Sequence, residues 1–219
     1  MTGLPPECLE RAARWLAAGE RKVLGIVAPP GAGKSSFAQA LATAFASAAQ
    51  VLPMDGFHLA NTELARLGRA GRKGAPDTFD AAGYVHLLQR VRAQADGATI
   101  YAPDYRRELE EAVAGAIAIE AHTPLILTEG NYLLLEDGGW AGVRGVLDEV
   151  WYLDVDDTVR RERLLARHMR FGRSREQALA WMAHTDEPNA LRIAESRHLA
   201  DVFVAWDEDQ SLTGLSAAS

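Results

Sequence analysis

The stretch Val23-Leu24-Gly25-Ile26-Val27-Ala28-Pro29-Pro30-Gly31-Ala32-Gly33-Lys34-Ser35-Ser36 decides how the rest of this 219-residue chain is read. An apolar run rich in β-branched residues leads into a Pro/Gly turn, which ends in Gly-Lys-Ser and opens a helical pattern. Strand, glycine-rich loop and helix in that order are the context of a phosphate-binding P-loop. Glycine lets the backbone wrap close to phosphate oxygens. The amides of Gly31, Ala32, Gly33, Lys34, Ser35 and Ser36 then point inward at the helix N-terminus. Lys34 reaches the β- and γ-phosphates, and the Ser35 hydroxyl binds Mg²⁺. Ala28 stands where the strict pattern begins with Gly, a departure that matters only if the position needs a positive φ. The motif implies a nucleotide and leaves the reaction open.

Composition narrows the partners. A formal charge of −7 argues against a nucleic-acid partner, whose binding is dominated by phosphate neutralisation. Cys8 is the single cysteine, so no intrachain disulfide forms and a reducing compartment is expected. The N-terminal residues do not pair a basic region with an apolar one, and no uncharged apolar stretch is long enough for a bilayer. The expectation is a cytoplasmic protein with a small-molecule substrate, no nucleic-acid or membrane partner, and homodimerisation left open. An apolar content of 48% suits one domain over residues 1–207, with a lid over about 157–187 and a frayed tail over 208–219.

Working outward from the loop, Pro5-Pro6 opens a helix with Leu9, Ala12, Ala13 and Leu16 at helical spacing, ended by Gly19. A second helix follows the loop to about Ala49. Residues 51–55 read as a strand ending in Asp55, with Pro53 placing it at an edge or a bulge. Strand ends line the ligand crevice in open α/β sheets, so Asp55 should face the same cleft as the P-loop. Residues 62–76 read as a polar loop or a flap over an anionic ligand, and residues 80–95 as a helix. Residues 99–107 read as a short extended stretch and a polar loop, and 113–119 as another small strand. Residues 125–130 form a buried-type strand ending in Glu129-Gly130, and 150–154 a further strand. Arg160, Arg163, Arg167 and Arg170 share a helix face that breaks at Phe171-Gly172-Arg173. Ser174 and Gln177 have capping-box spacing at the start of the next helix, a third segment runs from Asn189 to His198, and Val202-Phe203-Val204 is a last strand. Strands alternating with helices imply a three-layer α/β/α sandwich of P-loop NTPase type, with a five-stranded parallel core sheet and a helical lid.

Several nucleotide chemistries fit such a cleft. A guanine-specifying Asn-Lys-x-Asp is missing, and the Asp80-x-x-Gly83 match to a switch motif opens a helix instead. Motor ATPases carry paired acids after their second acidic strand, whereas Glu129 is followed by Gly130. Two separate acids remain. Phosphoryl transfer to an alcohol needs a carboxylate to accept the hydroxyl proton, Mg²⁺ on the β/γ-oxygens, and positive charge on the moving group. Asp55 suits the first, Ser35 with Glu129 the second, and Lys34 with a lid arginine the third. An NTPase without an acceptor and a nucleotide-binding regulatory module stay open as alternatives.

Further motifs carry a resemblance. Met54-Asp55-Gly56-Phe57-His58 with Asn61, Lys73-Gly74-Ala75-Pro76-Asp77-Thr78-Phe79-Asp80, and Thr128-Glu129-Gly130-Asn131 together resemble the phosphoribulokinase, uridine kinase and bacterial pantothenate kinase group of P-loop kinases. The chain is most similar to bacterial nucleoside/nucleotide kinase-like members, some labelled as kinases associated with fructose transport. The resemblance implies an ATP- and Mg²⁺-dependent kinase with Asp55 as the base and Glu129 near Mg²⁺ and substrate. It places Arg163, Arg167, His168, Arg170 and Arg173 in an arginine-bearing lid, of which Arg167 and Arg173 are taken as catalytic. His58, Asn61, Tyr105, Arg107 and Asn189, in Asp186-Glu187-Pro188-Asn189, fall on the acceptor side. Tyr105-Arg106-Arg107 stands where many members have an aromatic residue, Asp and Arg. That departure weakens a uridine reading and hints at an anionic acceptor.

Overall fold

The structure is a computed structural model and describes residues 3–206; the tail expected to fray, 208–219, lies outside them. Five parallel strands form the central sheet: β1 (Lys22–Val27), β2 (Ala49–Pro53), β5 (Leu125–Gly130), β6 (Glu149–Asp154) and β7 (Val202–Ala205), in the order β2-β5-β1-β6-β7. The sheet has the five parallel strands expected, and Pro53 does sit on an edge strand, where its missing N–H breaks no ladder.

Alternation within the strands makes the layers. Leu24, Ile26, Leu125, Leu127, Trp151 and Leu153 face one side. There they meet α1 (Pro6–Ala18) and α2 (Lys34–Phe45) through Cys8, Ala12, Phe37 and Leu41. Val23, Val27, Ile126, Val150 and Tyr152 face the other side, against α4 (Ala81–Arg92) and the Tyr132–Leu135 turn. Asp80 caps α4 by accepting from the Gly83 amide at 2.8 Å. A side chain at 83 would collide with that carboxylate, so this Asp-x-x-Gly is a helix start and not a switch.

Several boundaries differ from the sequence reading. α2 ends at Phe45 and β2 begins at Ala49, because the alanines of 46–49 suit either state and pairing of Ala49 with Leu125 decides. Asp55 lies just beyond β2, in a 3₁₀ turn over Met54–Phe57. The polar loop contains a helix, α3 (Asn61–Arg66), anchored by buried Leu64, and two 3₁₀ turns. The helix after Asp80 is shorter than expected, ending at Arg92. The largest difference is that β3 (Thr99–Arg106) and β4 (Glu111–Glu120) form an antiparallel hairpin, so strands and helices do not alternate throughout. Its turn carries no Gly or Asn; Glu110 takes the left-handed position at φ 51°.

After β6, α5 (Asp157–Arg170) is followed by α6 (Arg175–Trp181), whose Ser174–Gln177 capping box is formed. A π-helical turn over Met182–Asp186 joins α6 to α7 (Glu187–Glu195), so the third helical segment starts earlier than Asn189.

Candidate active site

The P-loop leaves the C-terminal end of β1, the middle strand, and turns into α2. Gly31 and Gly33 have φ of 87° and 83°, while Ala28 does not need a positive φ and is fully buried. At Gly31 a side chain would also run into the Arg160 carbonyl and approach Leu164 Cβ at 3.0 Å. The base of α5 therefore rests directly on the loop. Arg160 secures it, donating to the Pro30 carbonyl at 3.1 Å and to Glu187 at 3.0 Å.

A cleft of about 500 Å³ opens beside the loop. Lys34 is on its floor with Nζ 3.3 Å from the Pro29 carbonyl. Desolvation lowers its pKa to about 8, against the opposing pull of Glu129 and Asp55. Ser35 Oγ donates to Glu129 Oε1 at 2.9 Å. Burial raises the Glu129 pKa, and the nearby Asp55 charge adds to the rise. Among the described residues no cluster of three or more His, Cys, Asp or Glu side chains could hold a metal unaided. Mg²⁺ in phosphate-transfer sites needs only one or two protein oxygens, with phosphates and water completing its shell. Ser35 and Glu129 fit that donor set.

Asp55 faces the same cleft from the turn after β2, with Oδ2 3.5 Å from Arg107. His58 is clasped between the rings of Phe79 and Tyr105, at 4.0 and 4.6 Å between centroids. Its Nδ1 donates to the Asp55 carbonyl at 2.8 Å, and burial lowers its pKa, keeping it neutral. Asn61 donates to the Glu110 carbonyl at 3.2 Å and accepts from Lys73 at 2.6 Å. Tyr105 and Arg107 enter from the hairpin, and Asn189 from α7.

The arginine face divides. Arg160 belongs to the loop and Arg170 is exposed, while Arg167 and Arg173 enter the cleft. Desolvation and the nearby Arg107 charge lower the Arg167 pKa. The cleft thus gathers Lys34, Ser35, Asp55, Glu129, Arg167 and Arg173, together with all five acceptor-side residues. Gly31, Ala32, Gly33 and Ser36 form the loop beside it. The sequence reading gave no role to Lys73 beyond a flap, nor to Trp181, nor to the Glu110 carbonyl. The hairpin turn that places Glu110 leaves no periodicity signal, and Trp181 is the last residue of α6. No helix among the described residues is long and apolar enough to cross a membrane.

Comparison with known proteins identifies the family. Residues 23–205 match the sequence profile of the Phosphoribulokinase / Uridine kinase family. The chain is 36% identical over 194 residues to the uncharacterized protein YggC of Escherichia coli, covering 86% of this chain and 79% of that one. It is 34% identical over 152 residues to the ATP-dependent kinase-like protein notR' of Aspergillus versicolor, covering 66% of this chain and 88% of that one. A crystal structure from Silicibacter sp. TM1040, labelled as a kinase of a fructose transport system, superposes with a TM-score of 0.80 at 31% identity, covering 91% of this chain and 98% of that one.

Proposed function

Because the chain belongs to the phosphoribulokinase / uridine kinase family, we propose that it transfers the γ-phosphoryl group of ATP to an alcohol oxygen of a small metabolite. The observation that carries this reading is the second acid. Asp55 shares the cleft with the P-loop yet stands apart from the Ser35–Glu129 pair. Holding a nucleotide alone gives that carboxylate nothing to do.

In the proposed reaction the acceptor oxygen forms a bond to the γ-phosphorus as the bond to the β,γ-bridging oxygen breaks. The hydroxyl proton passes to Asp55, and ADP leaves with the bridging oxygen. Lys34, Arg167 and Arg173 supply positive charge around the moving phosphoryl group. Ser35 and Glu129 would hold Mg²⁺, which would supply charge neutralisation to the phosphates when bound. His58 presents a neutral imidazole whose Nδ1 is already committed, leaving Nε2 to accept from the metabolite. Asn61, Tyr105, Arg107 and Asn189 complete the acceptor side, and residues 157–187 cover the cleft, excluding water and limiting futile hydrolysis.

A metabolite library read as ADP production tests the proposal. A compound that raises ADP release and gains phosphate supports it, whereas ATP hydrolysis that no compound stimulates refutes it. Asp55→Asn should lower turnover by at least a hundredfold with ATP affinity nearly unchanged. Turnover within about tenfold of the wild type would remove Asp55 as the base.

A further inference from the structure

The two arginines that enter the cleft from residues 157–187 are held differently. Arg167 makes no hydrogen bond or ion pair among the described residues. Arg173 is fixed on three sides. Its backbone N–H donates to the His168 carbonyl at 3.2 Å, its Nη1 donates to His168 Nδ1 at 2.7 Å, and its guanidinium lies 4.2 Å over the Trp181 ring. Beyond it, His168 Nε2 is 2.7 Å from Asp186 Oδ2, and the two side chains are each only 12% exposed.

The chemistry of these groups permits one arrangement of protons. A guanidinium only donates, so Nδ1 of His168 must carry the lone pair. The proton therefore resides on Nε2 and is donated to Asp186. The imidazole is neutral, with its tautomer set from both sides. Both nitrogens are engaged, so His168 has none free to take a proton from an acceptor.

Asp186 closes the π turn and Glu187 opens α7. Neighbouring helical residues point about 100° apart. Glu187 turns to Arg160 and Arg161 at the base of α5, while Asp186 turns to His168 near its far end.

We propose that His168 and Asp186 are positioning residues that hold Arg173 in the cleft, ready to meet the transferring phosphoryl group, before the nucleotide arrives. This rests on the kinase reading above. Donors already aimed at developing charge need no reorganisation during reaction, so their benefit falls on the transition state and not on nucleotide binding. Without His168, Arg173 keeps Trp181 beneath it but is free to rotate.

The test uses ADP with Mg²⁺ and aluminium fluoride, which together imitate the phosphoryl group in flight, with binding measured by calorimetry. In the wild type, aluminium fluoride should tighten ADP binding. His168→Ala and Asp186→Ala should each lose roughly tenfold of that tightening, with affinity for ADP alone within about twofold. The double variant His168→Ala/Arg173→Ala should bind no worse than Arg173→Ala, because His168 acts only through the arginine. His168→Asn, whose amide oxygen can accept from Arg173, should recover part of the loss and serves if the alanine variant does not fold. Full tightening in His168→Ala, an equal loss for ADP alone, or a further loss in the double variant would overturn the proposal. So would a wild type that aluminium fluoride does not tighten. No acceptor is needed, so tightening that obeys this pattern without metabolite-stimulated turnover would refute the alcohol-acceptor reading and leave the positioning role standing.

Discussion

Gly31→Ala probes the contact between the P-loop and the base of α5. Two costs can be read from the structure. Residue 31 has φ 87°, and an L-residue held in the left-handed region costs about 1–2 kcal/mol. The new methyl also meets the Arg160 carbonyl, which is helix backbone, and approaches Leu164 Cβ at 3.0 Å. Neither neighbour is a flexible tip that can swing away, and overpacking of this kind costs about 1–3 kcal/mol. The sum is about 2–5 kcal/mol, a fall in Tm of about 4–20 °C for a domain of this size. Gly172→Ala provides the comparison. Its φ is 96°, but nothing lies within 4 Å of the added carbon, so only the backbone cost of about 1–2 kcal/mol applies. Differential scanning calorimetry of both variants, without nucleotide, separates the two costs. ATP titration should show the larger loss of binding for Gly31→Ala. Equal destabilisation by the two substitutions would refute the seating of α5 on the loop.

Two further outcomes follow from buried ionisable groups. Burial pushes the Cys8 thiol up to about 12, so thiolate is scarce at pH 8; alkylation by iodoacetamide should be at least about a hundredfold slower in native protein than in denaturant, and a comparable native rate would contradict the packing of α1. Glu129 has a raised pKa in the folded state, so the native form binds its proton more tightly than the unfolded chain, and stability falls as pH rises above the unfolded value of about 4.5. Glu129→Gln, which cannot ionise, should therefore raise the Tm of nucleotide-free protein at pH 8 and change it little at pH 4. An equal change at both pH values would show that desolvation of the carboxylate is not the cause.

The nucleotide half of the molecule was legible in the sequence because its determinants are local. The run from Val23 to Ser36 contains strand, loop and helix without a break, and Glu129 ends an apolar strand that can only be buried. Asp55 was legible for a similar reason, being placed by the end of its strand. The opposite wall was harder to read. The hairpin hid because Arg107-Glu108-Leu109-Glu110 lacks the residues that usually mark a tight turn, and its left-handed position is taken by Glu110. The arginine face was correctly grouped by period but not by destination. Only the tertiary arrangement sends Arg160 beneath the loop and Arg167 into the cleft. Asp186 and Glu187 could not be told apart from spacing, since a π turn shifts helical phase without leaving a pattern of its own.

The acceptor side has a topological property of its own. Asp55, His58, Asn61, Lys73, Tyr105 and Arg107 all come from the excursion between β2 and β5, and those two strands lie side by side in the sheet. The excursion therefore leaves and rejoins the scaffold at neighbouring points, like an inserted cassette whose ends already meet. The excursion also carries α4, which covers one face of the sheet through Tyr84, Leu88 and Val91, so only its cleft-facing segments can change without uncovering the core. Substitutions confined to those segments would reshape the wall of the cleft opposite the P-loop while leaving the loop itself untouched.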